Sequence, residues 1–458
     1  SIQRLVDRFA VDFEREGEEV EIWQKRLSIR TPDMGNNILS LSGGNQQKAL
    51  FARALGSDAR IVLMDDPMRG VDIGTKQEVY EILSQEAAAG RTLIWYTTET
   101  DELKHCDRVY VFRNGKIAAM GHASEIRDVP QFEDIRWREY PGGTRPVILP
   151  GLIDIHAHIP QYLSVARRES ELLPWLNRYI FPVEEEFRGS AVQPFLEAFF
   201  HELAKNGTTT AMLYSAVWEE STDLAFQVAE KTGNRAIIGK VMMDVDSYGE
   251  LKAEDGPDRS LEETERLCEK WHGAADGRLE YAVSPRFAVS CSMELMRGAA
   301  EIAKKHGCYI QTHLSENQGE IDRVAKLFPQ THDYAEVYRE AGILGDKTVL
   351  GHCLHLSGRE VRELAEANAC VAHCPTSNFF LNSGLFPMKR LWDAGLRIGL
   401  GSDVAGGPEL NMWQVMRSAI EMQKARRFLD EDIPELTPAG AFYLATAGGA
   451  DALGKSHV

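Results

Sequence analysis

From about Val147 to the C-terminus, apolar runs of strand length recur, and stretches with helical periodicity lie between them. Eight such runs occupy 149–158, 208–214, 236–244, 279–287, 309–313, 349–352, 370–373 and 396–403. The helical stretches lie at 190–206, 219–233, 258–274, 292–306, 317–342, 357–368, 385–394 and 409–428, several displaced by one unit from strict alternation. Eight strands alternating with helices over some 300 residues leave few architectures open. The expectation is an α/β chain whose larger part is a (β/α)8 barrel. In that fold the chemistry sits at the C-terminal strand ends, so the polar residues there are the candidates.

The first run ends in Asp154-Ile155-His156-Ala157-His158. Successive strand side chains point to opposite faces, so His156 and His158 share one. An HxH pair alone is weak. However, Gln311-Thr312-His313 ends the fifth run, Leu350-Gly351-His352 the sixth and Gly401-Ser402-Asp403 the eighth. Imidazoles and a carboxylate meeting at one barrel mouth suit zinc, or iron, in a site that keeps a position open for water. Glu316, three residues after His313, is placed to carry protons above such a site. His355 is expected to face solvent, His373 to line the pocket, and Cys353 and Cys374 to be core residues.

The first 120 residues have another texture. A helical pattern opens at Leu41-Ser42-Gly43-Gly44-Asn45-Gln46-Gln47-Lys48 and runs to about Leu55. A short apolar strand, 61–66, ends in Asp65 and Asp66; a helix at 74–88 and a strand at 92–96 follow. Segments 108–112 and 116–120 read as a hairpin about Asn114-Gly115. LSGGNQQK, then IVLMDD, then Pro67, Arg69 and Gly70-Val71-Asp72 resemble, in order, the signature, Walker B and D-loop of an ABC-transporter ATPase, most closely the second module of sugar importers. The resemblance implies a partial P-loop-type fragment whose nucleotide contacts would come from Ser42, Gly43, Gly44, Gln46, Asp65 and Asp66. Such a signature loop sets backbone N–H groups and a helix N-terminus against a phosphate held by a partner's phosphate loop. No GxxxxGK[ST] occurs in the chain, Asp66 stands where a glutamate is usual, and Thr98 where many such ATPases carry a histidine. ATP and Mg2+ are therefore expected only with a partner ATPase or transporter, and no hydrolysis by the chain alone.

The second part resembles the amidohydrolase superfamily, and within it the branch that deaminates guanine, over about residues 146–454. The matching segments include 150–162, Leu173-Pro174-Trp175-Leu176, Tyr179-Ile180-Phe181-Pro182, Pro285-Arg286-Phe287, His313-Leu314-Ser315-Glu316-Asn317, His373-Cys374-Pro375-Thr376-Ser377-Asn378 and 401–407. The resemblance implies one zinc, with iron as the alternative, on His156, His158, His313 and Asp403, and His352 beside the attacking water. It implies that Gln161 and Arg286 hold polar edges of a purine while Phe287 packs against it. Glu316, Asp403 and His352 would be catalytic, with guanine converted to xanthine and ammonia. Another amino-heterocycle or chlorotriazine hydrolase shares the metal set but not the purine contacts. A different class of reading makes the chain an ABC-derived component with the barrel as passenger, or an inactive chimera.

The expected organisation is thus a partial ATPase module at 1–120, a junction or remnant of a family β-sandwich at 107–150, and a barrel at 151–454. Half a sandwich would leave apolar surface exposed, so self-association into a homo-oligomer is expected. The formal net charge is −18. Residues 1–145 carry 20 basic and 24 acidic side chains and the rest 31 and 45, so neither part is basic and nucleic-acid binding is excluded. No apolar run reaches the roughly 18–20 residues that span a bilayer, and the opening does not read as a signal peptide. Seven scattered cysteines without a CxxC pair suggest reduced, buried thiols in a cytoplasmic protein.

Overall fold

The protein is described by a computed structural model. It describes residues 6–121 and 149–456, apart from 8, 9, 12, 32, 34, 58, 66, 69, 70, 72, 98, 99, 114, 115, 170, 246, 247, 249–256 and 431. The chain divides into two compact units, Ser1–Leu149 and Pro150–Val458.

In the first unit two short strands, β1 (Val6–Asp7) and β2 (Ala10–Val11), precede the helix Phe13–Arg26. The helix Gly43–Leu55 begins directly after Ser42. β3 (Ile61–Asp65) runs parallel to β4 (Thr92–Tyr96), with Val62 opposite Leu93, and the helix Ile73–Ala88 makes the crossover. β5 (Val109–Arg113) and β6 (Lys116–Gly121) pair antiparallel as expected. The Asn114-Gly115 turn, Asp66, Arg69, Gly70, Asp72, Thr98 and most of the 107–150 junction lie outside the described residues. A small core of Trp23, Leu27, Phe51, Leu55, Val62, Val79 and Leu83 holds the helices to one sheet face.

The second unit is a near-closed barrel. Its strands are β7 (Leu152–His158), β8 (Thr208–Tyr214), β9 (Arg235–Gly239), β10 (Val241–Met242), β11 (Leu279–Pro285), β12 (Tyr309–Leu314), β13 (Thr348–His352), β14 (Cys370–His373) and β15 (Arg397–Leu400). They pair in parallel in chain order from β7 to β15, with β10 continuing β9 alongside β11. No regular ladder joins β15 to β7. Two bonds beyond the end of β15 make the seam instead: Asp403 N–H to His156 O at 2.8 Å and His158 N–H to Val404 O at 3.2 Å. The seam therefore lies in the candidate site itself.

Two apolar layers account for the barrel. Ile153, Ile155, Met212, Ile237, Ala282, Val349, Cys370 and Ala372 fill its interior with Leu453. A larger cluster packs the strands' outer faces against the helices. With the interior filled, a cavity can open only at a barrel end.

Two expectations need correction. The stretch 317–342 is two helices, Gln318–Leu327 and Tyr334–Ala341, each with its own side-chain cap, Asn317 and Asp333. Pro329 has no N–H to continue the first helix and disfavours helical geometry at Phe328. Cys268 and Cys308, expected as separate thiols, are paired as a disulfide. Cys291, Cys353, Cys370 and Cys374 are free and buried. Among the described residues no helix is long and apolar enough to cross a membrane.

Candidate active site

The C-terminal strand ends bring His156, His158, His313 and Asp403 together, with their ligand atoms all within 4.8 Å of one another. His156 lies within an irregularity in the β7–β8 register between Asp154 and Ala157. Two glycines make room for its ring: a Cβ on Gly351 would lie 2.7 Å from His156 Cε1, and one on Gly401 the same distance from His156 Cβ. Ser315, His352 and Asp403 all have positive φ, at 50°, 69° and 48°. For residues with a side chain such backbone costs of order 1–3 kcal/mol each, and it concentrates at functional sites.

Three contacts describe the centre of the cluster. His156 Nε2 and His158 Nε2 each lie 3.3 Å from Asp403 Oδ1, and His158 Nε2 lies 3.2 Å from His313 Nε2. His313 Nδ1 is 2.7 Å from the carbonyl of Arg286, which can only accept, so Nδ1 carries the proton and Nε2 of the neutral ring is a bare lone pair. A lone pair and a carboxylate oxygen thus face the same small space. Ligands at about 2.0–2.2 Å from one tetrahedral ion lie roughly 3.3–3.6 Å apart, close to the spacing observed. Both ring nitrogens of buried His156 and Nδ1 of His158 also lack a hydrogen-bond partner. The donor set fits a divalent cation with an open position.

The electrostatics agree. Burial lowers His158 to about 4 against the pull of Asp403, and burial followed by the neighbouring imidazoles holds His313 well below its ordinary value. Both rings are therefore neutral, as metal ligands must be. Burial works against the Asp403 charge, but the adjacent His156 and His158 imidazoles bring its carboxyl well below the usual range. Glu316 moves the other way: burial, then the Asp403 charge, pushes it up to about 8. Ser383 Oγ donates to Glu316 Oε1 at 2.9 Å, which turns Oε2 toward His352 Nε2 at 3.3 Å. His352 Nε2 is also 3.7 Å from Asp403 Oδ2, and its Nδ1 is 3.0 Å from Asn378 Oδ1.

The same cavity is lined by His158, His313, Glu316, His352 and Asp403 on one side and by Gln161, Arg286 and Phe287 on the other. Leu172, Trp175, Leu176 and Leu381 supply apolar walls. Gln161 lies in the turn Pro160–Ser164 after β7, and Arg286 directly follows β11. Arg286 is only 2% exposed, so it is not a solvated surface charge. Burial opposes its charge, but Glu184 outweighs that and raises the guanidinium above its ordinary value.

Several supporting residues escaped the sequence reading. Asp154, fully buried, accepts from Ser402 Oγ at 2.5 Å, Ser402 N–H at 3.0 Å and His156 N–H at 3.2 Å, tying the first strand to the Asp403 loop. Glu320 accepts the N–H of Glu316 at 2.9 Å and the Tyr334 hydroxyl at 2.7 Å. Asn378, Ser383 and Glu184 complete the set. Asp154 and Asn378 had a signal, their places in the HxH segment and in the segment His373–Asn378; Glu320, Ser383 and Glu184 come from loops and helices with none. His373, expected in the pocket, instead stacks on Phe386 at 4.1 Å outside the cavity lining, and burial lowers it to about 3. His355 is exposed, as expected.

The candidate nucleotide residues belong to the other unit. Ser42 O accepts the Gln46 N–H at 2.8 Å in the first turn of the helix Gly43–Leu55, Gln46 Nε2 donates to Leu41 O at 2.7 Å, and Asp65 ends β3. Gly43 and Gly44 form the opening of that helix.

The model of the amidohydrolase family matches residues 147–458, and the chain belongs to that family. It is 36% identical over 351 residues to the guanine deaminase of Escherichia coli K12, covering 76% of each chain. It is 38% identical over 309 residues to that of Mus musculus, covering 67% of this chain and 68% of the relative. Among solved structures it is similar to a guanine deaminase from C. acetobutylicum with guanine bound in the active site, with a TM-score of 0.69, 32% identity, and coverage of 76% of this chain and 81% of the other.

Proposed function

We propose that the chain catalyses the metal-dependent hydrolytic deamination of guanine, giving xanthine and ammonia. The observation that carries the proposal is a single cavity holding the His/Asp cluster on one side and Gln161, Arg286 and Phe287 on the other. A chlorotriazine has no ring carbonyl to meet the guanidinium, so Arg286 favours the purine.

His156, His158, His313 and Asp403 would hold the ion, zinc in preference to iron given three imidazoles and one carboxylate. When bound, it supplies Lewis acidity that brings water toward ionisation near neutral pH. The protein's own groups do the rest. Asp403, held ionised, and His352 accept the proton of the attacking water and aim its oxygen at the carbon bearing the amino group. Glu316, held protonated up to about pH 8 by burial and the Asp403 charge, donates to the adjacent ring nitrogen. It then takes the remaining proton of the added hydroxyl and passes it to the departing amine, and the proton held by Asp403 and His352 restores Glu316, so that one water is consumed and one ammonia leaves. Gln161 and Arg286 hold the polar edge, and Phe287 packs on the ring.

For residues 1–120 we propose a partial ABC-type ATPase module. A helix beginning directly after Ser42, and parallel β3 and β4 with Asp65 at the strand end, support the reading. Ser42, Gly43, Gly44, Gln46, Asp65 and Asp66 would meet ATP and Mg2+ only beside a partner's phosphate loop. Homo-oligomerisation and a cytoplasmic location complete the proposal.

Metal-loaded protein should release ammonia and xanthine from guanine. Folded, metal-loaded protein with no guanine turnover would overturn the assignment.

A further inference from the structure

We infer that Glu184 is a positioning residue for specificity: it orients the Gln161 amide and the Arg286 guanidinium so that the cavity wall accepts a lactam edge and rejects an amidine edge. The inference rests on the guanine reading above and concerns a residue that does not line the cavity.

Glu184 lies in the short helix Phe181–Glu186 and is fully buried. Three donors from distant parts of the chain converge on its carboxylate. Gln161 Nε2 donates to Oε1 at 3.1 Å. Arg286 Nη1 donates to Oε2 at 2.5 Å, and the Tyr248 hydroxyl to the same oxygen at 2.7 Å. The backbone is fixed too, since Trp218 Nε1 donates to the carbonyls of Glu184 at 3.2 Å and Glu185 at 3.1 Å. Neutralising a buried arginine requires only the Arg286 contact. The Gln161 contact adds control over what the cavity presents.

A carboxylate can only accept, so the amide nitrogen of Gln161 must face Glu184. Its carbonyl oxygen is then the acceptor turned to the cavity. A guanidinium has five N–H donors, of which the Glu184 contact uses one. The wall therefore presents an acceptor beside a cationic donor. A ring N–H beside a carbonyl, as in guanine, complements both. In 2,6-diaminopurine the ring nitrogen is bare and the neighbouring group is an amine, so both contacts are reversed. Sites built on buried hydrogen bonds reject such analogues strongly, because their own groups are left unpaired.

Glu184→Gln keeps the volume but removes the rule. A neutral amide donates as well as accepts, so Gln161 can turn either way, and Arg286 loses its counter-charge. The experiment measures the KM for guanine, the inhibition constant of 2,6-diaminopurine against guanine turnover, and the bound metal, in metal-loaded wild-type and variant protein. With metal content unchanged, the guanine KM should rise roughly ten- to a hundredfold, with a smaller change in kcat. The diaminopurine constant should change by less than about threefold, so selectivity collapses. Tyr248→Phe removes one donor to the same carboxylate and should shift the ratio the same way, by about two- to fivefold; it decides the matter if Glu184→Gln does not fold. A merely structural Glu184 would weaken both purines alike, and an unchanged ratio overturns the inference while guanine turnover by the wild type stands. If the metal-loaded wild type does not turn over guanine, the functional reading falls and this inference with it.

Discussion

The two units use apolar strands differently. In the barrel every residue of β7, β12, β13 and β14 is buried. In the first unit, β3 and β4 bury Val62 on one face but leave Ile61, Leu63 and Ile94 at 60%, 54% and 53% exposure on the other. Parallel sheets are normally covered on both faces. The motifs follow the same division. The segments of the first unit proposed as ABC-type motifs stand in order along the chain, and no GxxxxGK[ST] accompanies them in the sequence. Those of the second are scattered from residue 156 to 403, yet converge within a few ångströms. Convergence of side chains is what permits chemistry.

The sharpest break of that contrast is the double substitution His156→Ala/His158→Ala. Two of four ligands disappear, so elemental analysis should find the metal gone and guanine turnover should fall to background. Metal retained at wild-type content would refute the ligand set. Glu316→Gln comes next. It keeps size but removes the exchangeable proton, and turnover should fall about 10²–10⁴-fold with metal still bound. Full turnover would mean that another group moves the proton.

Smaller effects test the supports. Asp154→Asn weakens the acceptor for Ser402 and His156, and metal affinity should drop roughly ten- to a hundredfold, the usual scale for groups that orient ligands. A metal titration unchanged from wild type would show that β7 and the Asp403 loop hold their geometry without it. Arg286→Ala should weaken guanine by about ten- to a hundredfold, and substrates lacking the purine oxygen by less. An equal loss for every substrate would remove the best support for guanine. At the far end lies the first unit: Asp65→Ala should leave guanine turnover unchanged, and the purified chain should not hydrolyse ATP. ATP turnover that disappears with Asp65→Ala would place a working phosphate site where none is expected.

The alternation of apolar runs located all eight principal barrel strands, because a strand buried on both faces must be apolar throughout. His156, His158, His313, His352, Glu316 and Asp403 were equally legible, since a barrel's strand ends are the places where polar residues interrupt those runs. The stretch 317–342 reads as one helix because its periodicity continues through a segment where Pro329 and the Asp333 cap break the backbone. His373 differs from the pocket position its place suggests for a subtler reason. It ends a strand as His352 does, but alternation along β14 turns it onto Phe386.

Sequence by itself determined the barrel and the candidate ligand types at its strand ends, because periodicity and spacing are local properties of a chain. Tertiary structure decided how those groups behave. Glu316 is raised to about 8 while Asp403 is held low, although both are buried carboxyls, because burial and a like charge act together on one, while two neighbouring imidazoles outweigh burial at the other. Likewise Gln161, Glu184, Tyr248 and Arg286 span more than a hundred residues and carry no shared motif. Their pattern of donors and acceptors exists only once folding has buried them together, out of reach of the water that would otherwise satisfy each one separately.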